Sequence, residues 1–203
     1  MSKIHPLKVA PDQSTARSAR GNSHVSAETE SFTMWMKSLV MQTYGCTVFN
    51  DNGDVVYRVD NYEKRDSDEV YLMDVEGRVL FTILRQKRSI NRQWKGYRCD
   101  DLEHSNHQKP FFNVRKISGI LYLVTLGPGI ALDNCYKLET SAGKSAFKIL
   151  NNNGGVVAEA KRKQSCSGVQ LGDDVLTLVV QPNVDHSLIM ALGTVYGLLK
   201  HIL

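Results

Sequence analysis

The segment from Leu188 to Ile202 constrains the fold more than any other part of the chain. Placed on a helical wheel, Leu188, Ile189, Met190, Ala191, Leu192, Val195, Tyr196, Leu198, Leu199 and Ile202 cover about 260° of the circumference. Pro182 precedes it, and Asp185 is placed to accept hydrogen bonds from the first turn, which predicts a helix over 185–202. A helix that is apolar nearly all round must be enclosed nearly all round. A membrane span is the competing reading, but only 13 residues separate His186 from Lys200, whereas a spanning helix needs about 20. Gly193 and Gly197 occupy the remaining face one turn apart. They cost about 1 kcal/mol each in helix propensity and would let a neighbouring backbone approach closely, so tight packing is expected there.

The rest of the chain supplies the wrapping. Two β-rich runs flanking a short Asn/Asp/Gly turn recur three times: Thr47 to Phe49 with Val55 to Val59, Val70 to Met73 with Val79 to Ile83, and Phe147 to Leu150 with Val156 to Ala158. A looser copy runs from Tyr136 to Glu139 and on to Phe147. The Asn and Gly residues between the runs provide the positive φ that tight turns require, so their position is mechanical rather than catalytic. Further strands are predicted at Phe111 to Arg115, Ile120 to Leu126 and Val175 to Val180, the last apolar enough to be buried on both faces. The alternation of Phe32, Met34 and Met36 with Thr33, Trp35 and Lys37 predicts the first strand, from Ser31. Residues 1–30 are rich in Ser, Ala, Lys and Arg and are expected to form a disordered tail. One domain over 31–203 suits a 203-residue chain that is 42% hydrophobic, enough for one substantial core and short for two. So many short strands predict a mainly β sandwich or barrel with the helix covering their inner faces.

Composition narrows the function classes. A net charge of +4 and a pI near 8.8 are too mildly basic for a general nucleic-acid binder, so local clustering decides. Cys46, Cys99, Cys135 and Cys166 are widely separated and read as free thiols. With no apolar run after the early lysines and no glycosylation sequon, an intracellular, cytoplasmic location is expected rather than secretion.

The strong enzyme signatures are absent: no His-Glu-x-x-His, no Gly-x-Ser-x-Gly and no phosphate-loop motif occurs, so no catalytic residues and no cofactor are predicted. Gly127-Pro128-Gly129 reads as a turn after a strand. His104 and His107, near Asp100, Asp101 and Glu103, read as a solvated loop rather than a metal site. The most informative charge feature is Arg85, Lys87, Arg88, Arg92, Lys95 and Arg98, with no acid among them and with Trp94 and Tyr97 interleaved. Such a patch fits a phosphorylated lipid headgroup or a nucleic-acid backbone, with Trp94 at a membrane interface or stacked on a base. The plain alternative is a long hairpin with a solvated basic tip. Lys161-Arg162-Lys163 would extend the patch if the fold brought the two together.

Several stretches taken together resemble the LURP-one-related proteins of plants: Phe32 to Leu39, Gly45 to Phe49, Val56 to Tyr62, Tyr71 to Asp74, Val156 to Glu159, Gly168 to Asp174, and Gln181 to Asp185 leading into the apolar helix. The resemblance runs from Ser31 to Leu203. It implies a closed antiparallel barrel of about twelve strands around a buried C-terminal helix, the arrangement shared with tubby domains and phospholipid scramblases. It also implies a non-enzymatic regulator tethered to phosphoinositide membrane surfaces and acting in plant defence or stress responses, with no catalytic residues to carry over. Neither the cysteine-rich stretch nor the calcium-binding segment of scramblases is found here. The expectation is a monomeric binding module, peripherally membrane-associated or entering the nucleus, with Arg85, Lys87, Arg88, Arg92, Trp94, Lys95 and Arg98 as the headgroup site. A nucleic-acid-binding or transcription-regulating protein is the first alternative. A carrier or enzyme with its ligand inside the barrel is the second, and the helix argues against it by filling that space.

Overall fold

The computed structural model describes residues 24–37, 44–61, 68–86, 93–99, 109–127, 135–140, 145–165 and 167–202. Twelve strands follow one another: β1 (Glu30–Trp35), β2 (Tyr44–Phe49), β3 (Val55–Asn61), β4 (Glu69–Asp74), β5 (Val79–Gln86), β6 (Gln93–Arg98), β7 (Phe112–Ser118), β8 (Leu121–Leu126), β9 (Cys135–Glu139), β10 (Ser145–Leu150), β11 (Val156–Arg162) and β12 (Val175–Val180). Helix α1 (His186–Lys200) ends the chain. Every strand pairs antiparallel with its sequence neighbours, and β1 closes the barrel against β12 in register from Glu30 opposite Val180 to Trp35 opposite Val175. A closed barrel leaves no strand edge unpaired.

The recurring Asn/Asp/Gly turns have one construction. Asn50 Oδ1 accepts from the backbone N–H of Asn52 (3.0 Å) and Asp54 (2.9 Å). Asp74 Oδ1 accepts from Glu76 and Arg78, and Asn151 Oδ1 from Asn153 and Gly155. In each, a glycine with φ near +80°, Gly53, Gly77 or Gly154, closes the loop. The side-chain oxygen replaces ladder bonds that the reversal breaks, while glycine alone adopts the left-handed backbone without strain.

Period-two alternation points one face of each strand inward, where Met34, Phe81, Ile83, Phe112, Val114, Phe147, Ile149 and Leu178 are fully buried. Helix α1 occupies the axis, and His186 to Leu198 are all buried. It comes close to the wall at Gly193, where a Cβ would lie 2.8 Å from Met34 Cε and 3.4 Å from Phe147 Cζ. The glycine therefore accommodates wall side chains, not the neighbouring backbone expected from sequence. Gly96 serves the wall itself, since a Cβ there would run into the Phe112 ring.

Two further expectations are corrected. The strand Val175–Val180 is not buried on both faces: Leu176, Leu178 and Val180 point inward, while Val175, Thr177 and Val179 are only half-buried on the outer wall. The expected tail also ends earlier than Glu30. Residues 24–29 lie against the barrel, with Val25 bridged to Asp185, the His186 N–H donating to the His24 carbonyl and the Asn183 N–H to the Ser26 carbonyl, both at 2.7 Å. Residues 1–23 lie outside the described residues.

Because all neighbours are antiparallel, the strand connections alternate between two rims. The helix enters at the rim that carries the Asn50, Asp74 and Asn151 turns, and the β7–β8 turn and the β11–β12 connection lie on the opposite one.

Candidate functional site

The barrel divides the basic run predicted from sequence. Strands β5 and β6 form the long hairpin, paired from Phe81 opposite Arg98 to Gln86 opposite Gln93. Lys87, Arg88 and Arg92 fall between them, outside the described residues. On β6, Trp94 shares the inward face with Gly96 and is 4% exposed, so it is a core residue, not a membrane-interface or base-stacking aromatic. Lys95 faces the outer wall. Arg85 lies 3.8 Å from the Asp68 carboxylate at the rim opposite helix entry. Arg98 sits at the other end of the hairpin, at the helix-entry rim. Trp94 and Arg98, four residues apart, share one side of β6, while the alternation of the strand sends Lys95 to the other.

Arg98 is structural. Its Nη2 donates to Asp185 Oδ2 at 2.8 Å and to Ser187 Oγ at 3.2 Å, and its guanidinium lies 5.4 Å from the Phe81 ring centroid and 5.0 Å from that of Phe111. Asp185 Oδ1 in turn caps the helix through the backbone N–H groups of Ser187 (2.9 Å) and Leu188 (3.3 Å). Burial alone would raise the Asp185 carboxyl, but the Ser187 hydrogen bonds and the Arg98 charge outweigh it and hold the carboxyl below its ordinary range. His24 Nδ1 and the Tyr57 hydroxyl are joined at 2.9 Å. Burial depresses His24 and His186, and the buried Nε2 of His186 has no hydrogen-bond partner among the described residues. These groups lock the first helical turn, strand β6 and the segment 24–29 together.

A different set of cations comes together on the outer wall. Lys95 on β6 pairs in register with Asn113 on β7, and Arg115 lies two residues further along that strand, opposite Gln93. Arg115 pairs with Leu123 on β8, which pairs with Lys137 on β9. Lys116 follows Arg115 at the rim, opposite Tyr122 and on the other side of the strand from Arg115. Arg115 and Lys116 are exposed, Lys95 and Lys137 half-exposed, and none of the four makes an ion pair among the described residues. Diagonal neighbours on a sheet are about 7 to 8 Å apart, close enough for two cations to share one phosphate group. The sequence reading missed Arg115, Lys116 and Lys137, which are dispersed along the chain and meet only through strand pairing. By contrast, the second basic run is engaged on β11 and beyond: Lys161 pairs with Glu159 (3.1 Å), Arg162 with Asp173 (3.0 Å), and Lys163 donates to Thr33.

Among the described residues no group of His, Cys, Asp and Glu is placed to hold a metal ion, and no helix is long and apolar enough to cross a membrane. His104 and His107 lie outside the described residues, as does Cys166. Cys46, Cys99 and Cys135 are free thiols, and burial pushes that of Cys46 up to about 12.

The sequence pattern of the LURP-one-related family matches residues 30–197. Protein LURP-one-related 11 of Arabidopsis thaliana is 43% identical over 97% of this chain and 90% of its own length. Protein LURP-one-related 4 of the same plant is 42% identical over 92% of this chain and 86% of its own length. An Arabidopsis thaliana protein solved by X-ray crystallography superposes with a TM-score of 0.62, covering 87% of this chain and 94% of that one, at 16% identity, which speaks to the fold alone.

Proposed function

The chain belongs to the LURP-one-related family, and from that premise we propose that it is a non-enzymatic binding module that docks on anionic, phosphoinositide-bearing membranes and acts in plant defence or stress signalling. The observation that carries the docking is the set Lys95, Arg115, Lys116 and Lys137, exposed or half-exposed and without a carboxylate partner among the described residues. Most other cations of the described wall are spent on acids or, like Arg98, on the fold. Residues 87–92, with Lys87, Arg88 and Arg92, connect to the Gln93 end of β6, the end that pairs with Arg115. An anionic surface attracts each such residue by about 1 kcal/mol. The interior is an unsuitable place for a ligand, because α1 fills it. The inward turn of Trp94 also removes one of the two aromatics of the run from base stacking, leaving the half-buried Tyr97.

The test is co-sedimentation with liposomes of phosphatidylcholine, with and without phosphoinositide, at increasing salt, run in parallel against duplex DNA. Expected is affinity for the phosphoinositide liposomes that falls with salt and drops by at least tenfold when Lys95, Arg115, Lys116 and Lys137 are all replaced by Ser. The absence of salt-sensitive affinity for any anionic liposome would overturn the reading, and tighter binding to DNA would replace it with the nucleic-acid alternative.

A further inference from the structure

Isoleucine elsewhere in the described barrel and helix is core: Ile83, Ile149 and Ile189 are all 0% exposed. At the β7–β8 turn the pattern inverts, with Ile117 and Ile120 each 50% exposed, inside a run from Arg115 to Ile120 in which all six residues are exposed. The turn is held in this attitude. The β7–β8 ladder shifts between Lys116, opposite Tyr122, and Ser118, opposite Leu121, which leaves Ile117 as the extra residue of an irregularity that re-aims the strand end. The Ile120 carbonyl accepts from the Thr140 N–H at 2.8 Å and from its hydroxyl at 3.2 Å, fastening the turn to β9. Two large apolar side chains thus project from a braced hairpin directly ahead of the unpaired Arg115 and Lys116, with no acid between Arg115 and Ile120.

We propose that the β7–β8 tip is a hydrophobic insertion point, with Ile117 and Ile120 entering the headgroup and acyl boundary of an anionic bilayer while Arg115 and Lys116 remain at the phosphate level. This rests on the membrane reading given above and adds a site to it. Charge complementarity selects the occupant: apolar tips backed by cations suit an anionic lipid surface, where the side chains leave water and the charges stay hydrated among phosphates. The same rim also presents Val169, 64% exposed, and Leu171, 54% exposed, in the β11–β12 connection, where the following Asp173 and Asp174 are each paired with a cation of their own, Arg162 and Lys37. Among the described residues of the helix-entry rim the most exposed apolar residue is Val75 at 59%, which stands alone between Asp74 and Glu76, two acids that share the single cation Arg78.

The experiment uses the full chain and vesicles of phosphatidylcholine with phosphatidylserine and phosphoinositide. The double variant Ile117→Ser, Ile120→Ser is expected to bind about tenfold more weakly, equivalent to about 1.4 kcal/mol, at every salt concentration, with the dependence of affinity on salt unchanged and the unfolding midpoint retained. In a second arm, Ile120→Trp fluorescence is expected to be quenched by vesicles with brominated acyl chains, beyond the quenching of the wild-type Trp35 and Trp94 signal. Wild-type affinity in the serine variant, or an unquenched tryptophan at position 120, overturns insertion while leaving the salt-sensitive docking standing. If the wild type binds no anionic vesicle, docking and insertion fall together. Self-association without lipid that the serine variant abolishes would overturn insertion and assign the tip to a second copy of this chain.

Discussion

The two rims of the barrel use the same kinds of residue to opposite ends. At helix entry the described polar groups around Asp185 are turned into structure: Arg98 packs against the adjacent rings of Phe81 and Phe111 and bonds Asp185, Asp185 caps α1, and the backbone of residues 24–29 is tied to Asn183 and His186. At the opposite rim Arg115 and Lys116 have no acid to meet among the described residues, and Ile117 and Ile120 face water. A cation that is paired and partly buried contributes to holding elements together, and its loss strands the partner. A cation left unpaired on the surface adds little to the fold and remains accessible from outside the molecule. The difference separates the residues that build this protein from those available to a partner.

The most severe way to break the comparison is to remove what both rims surround. Truncation at Val184 deletes Leu188, Ile189, Met190, Leu192, Val195, Tyr196 and Leu198, each buried, and at about 1.5 to 3 kcal/mol apiece they match or exceed the roughly 5 to 15 kcal/mol of a typical domain. Expression of the truncated chain should give unfolded or insoluble protein. A soluble product unfolding cooperatively at the intact midpoint would place the helix outside the core.

Next in size is Asp185→Ala, which removes a helix cap worth about 1 kcal/mol and leaves Arg98 without its carboxylate. A loss of about 2 to 3 kcal/mol in denaturant titration is expected, with α1, β6 and residues 24–29 losing amide-exchange protection together. A third substitution probes the middle of the barrel. Gly193→Leu should cost about 1 to 2 kcal/mol by overpacking, near the lower end because the nearest obstacle is the Met34 methyl at the end of a flexible side chain. An unchanged midpoint would mean that the wall yields at no cost.

How much of this was legible in the sequence follows from the range of each interaction. The Asn50, Asp74 and Asn151 turns are closed by side chains reaching two and four residues on, so the local pattern contains the whole motif, and the hairpins could be read directly. The helix was legible because an all-round apolar surface admits few environments. The division of the basic run is less apparent, because residues close in sequence along a strand point to opposite faces. Period-two alternation sends Trp94 inward and Lys95 outward, and applying it to Gln93–Arg98 would have divided the run. The approach of Arg98 to Asp185, 87 residues apart, depends on barrel closure. The docking of residues 24–29 left little trace either, since the backbone bonds of Ser26 and His24 could come from any residue and only the His24 side chain, bonded to Tyr57, is specific.

A smaller effect distinguishes the rims by pH. Burial lowers His24 and His186 in the folded state, with Asp185 opposing the shift at both, Asp74 also opposing it at His24, and Arg98 reinforcing it there. The unfolded chain therefore binds more protons below the ordinary imidazole value of about 6.5, and stability falls as pH drops through that value toward the depressed folded-state values. Acidification from neutrality should lower the unfolding midpoint and loosen residues 24–29 first. His24→Gln, which keeps a polar partner for the Tyr57 hydroxyl, should blunt that loss, and a pH profile identical to wild type would remove His24 from the account.

The smallest expected effect is the sharpest test, because it asks for almost nothing at one rim where the same chemistry costs dearly at the other. Arg115→Ser and Lys116→Ser each remove a solvated cation with no partner among the described residues, so each should change stability by no more than about 0.5 kcal/mol. Arg98→Ser, the same substitution at the helix-entry rim, deprives Asp185 of its 2.8 Å ion pair and two phenylalanine rings of their cation, and should cost about 1 to 3 kcal/mol. Salt should act in the same sense: screening reaches exposed charges and largely spares the half-buried Arg98 pair, so added salt should leave its contribution almost intact. Equal losses for Arg115 and Arg98 would mean that both rims are structural, and the outer cations would then need an intramolecular role that their positions do not supply.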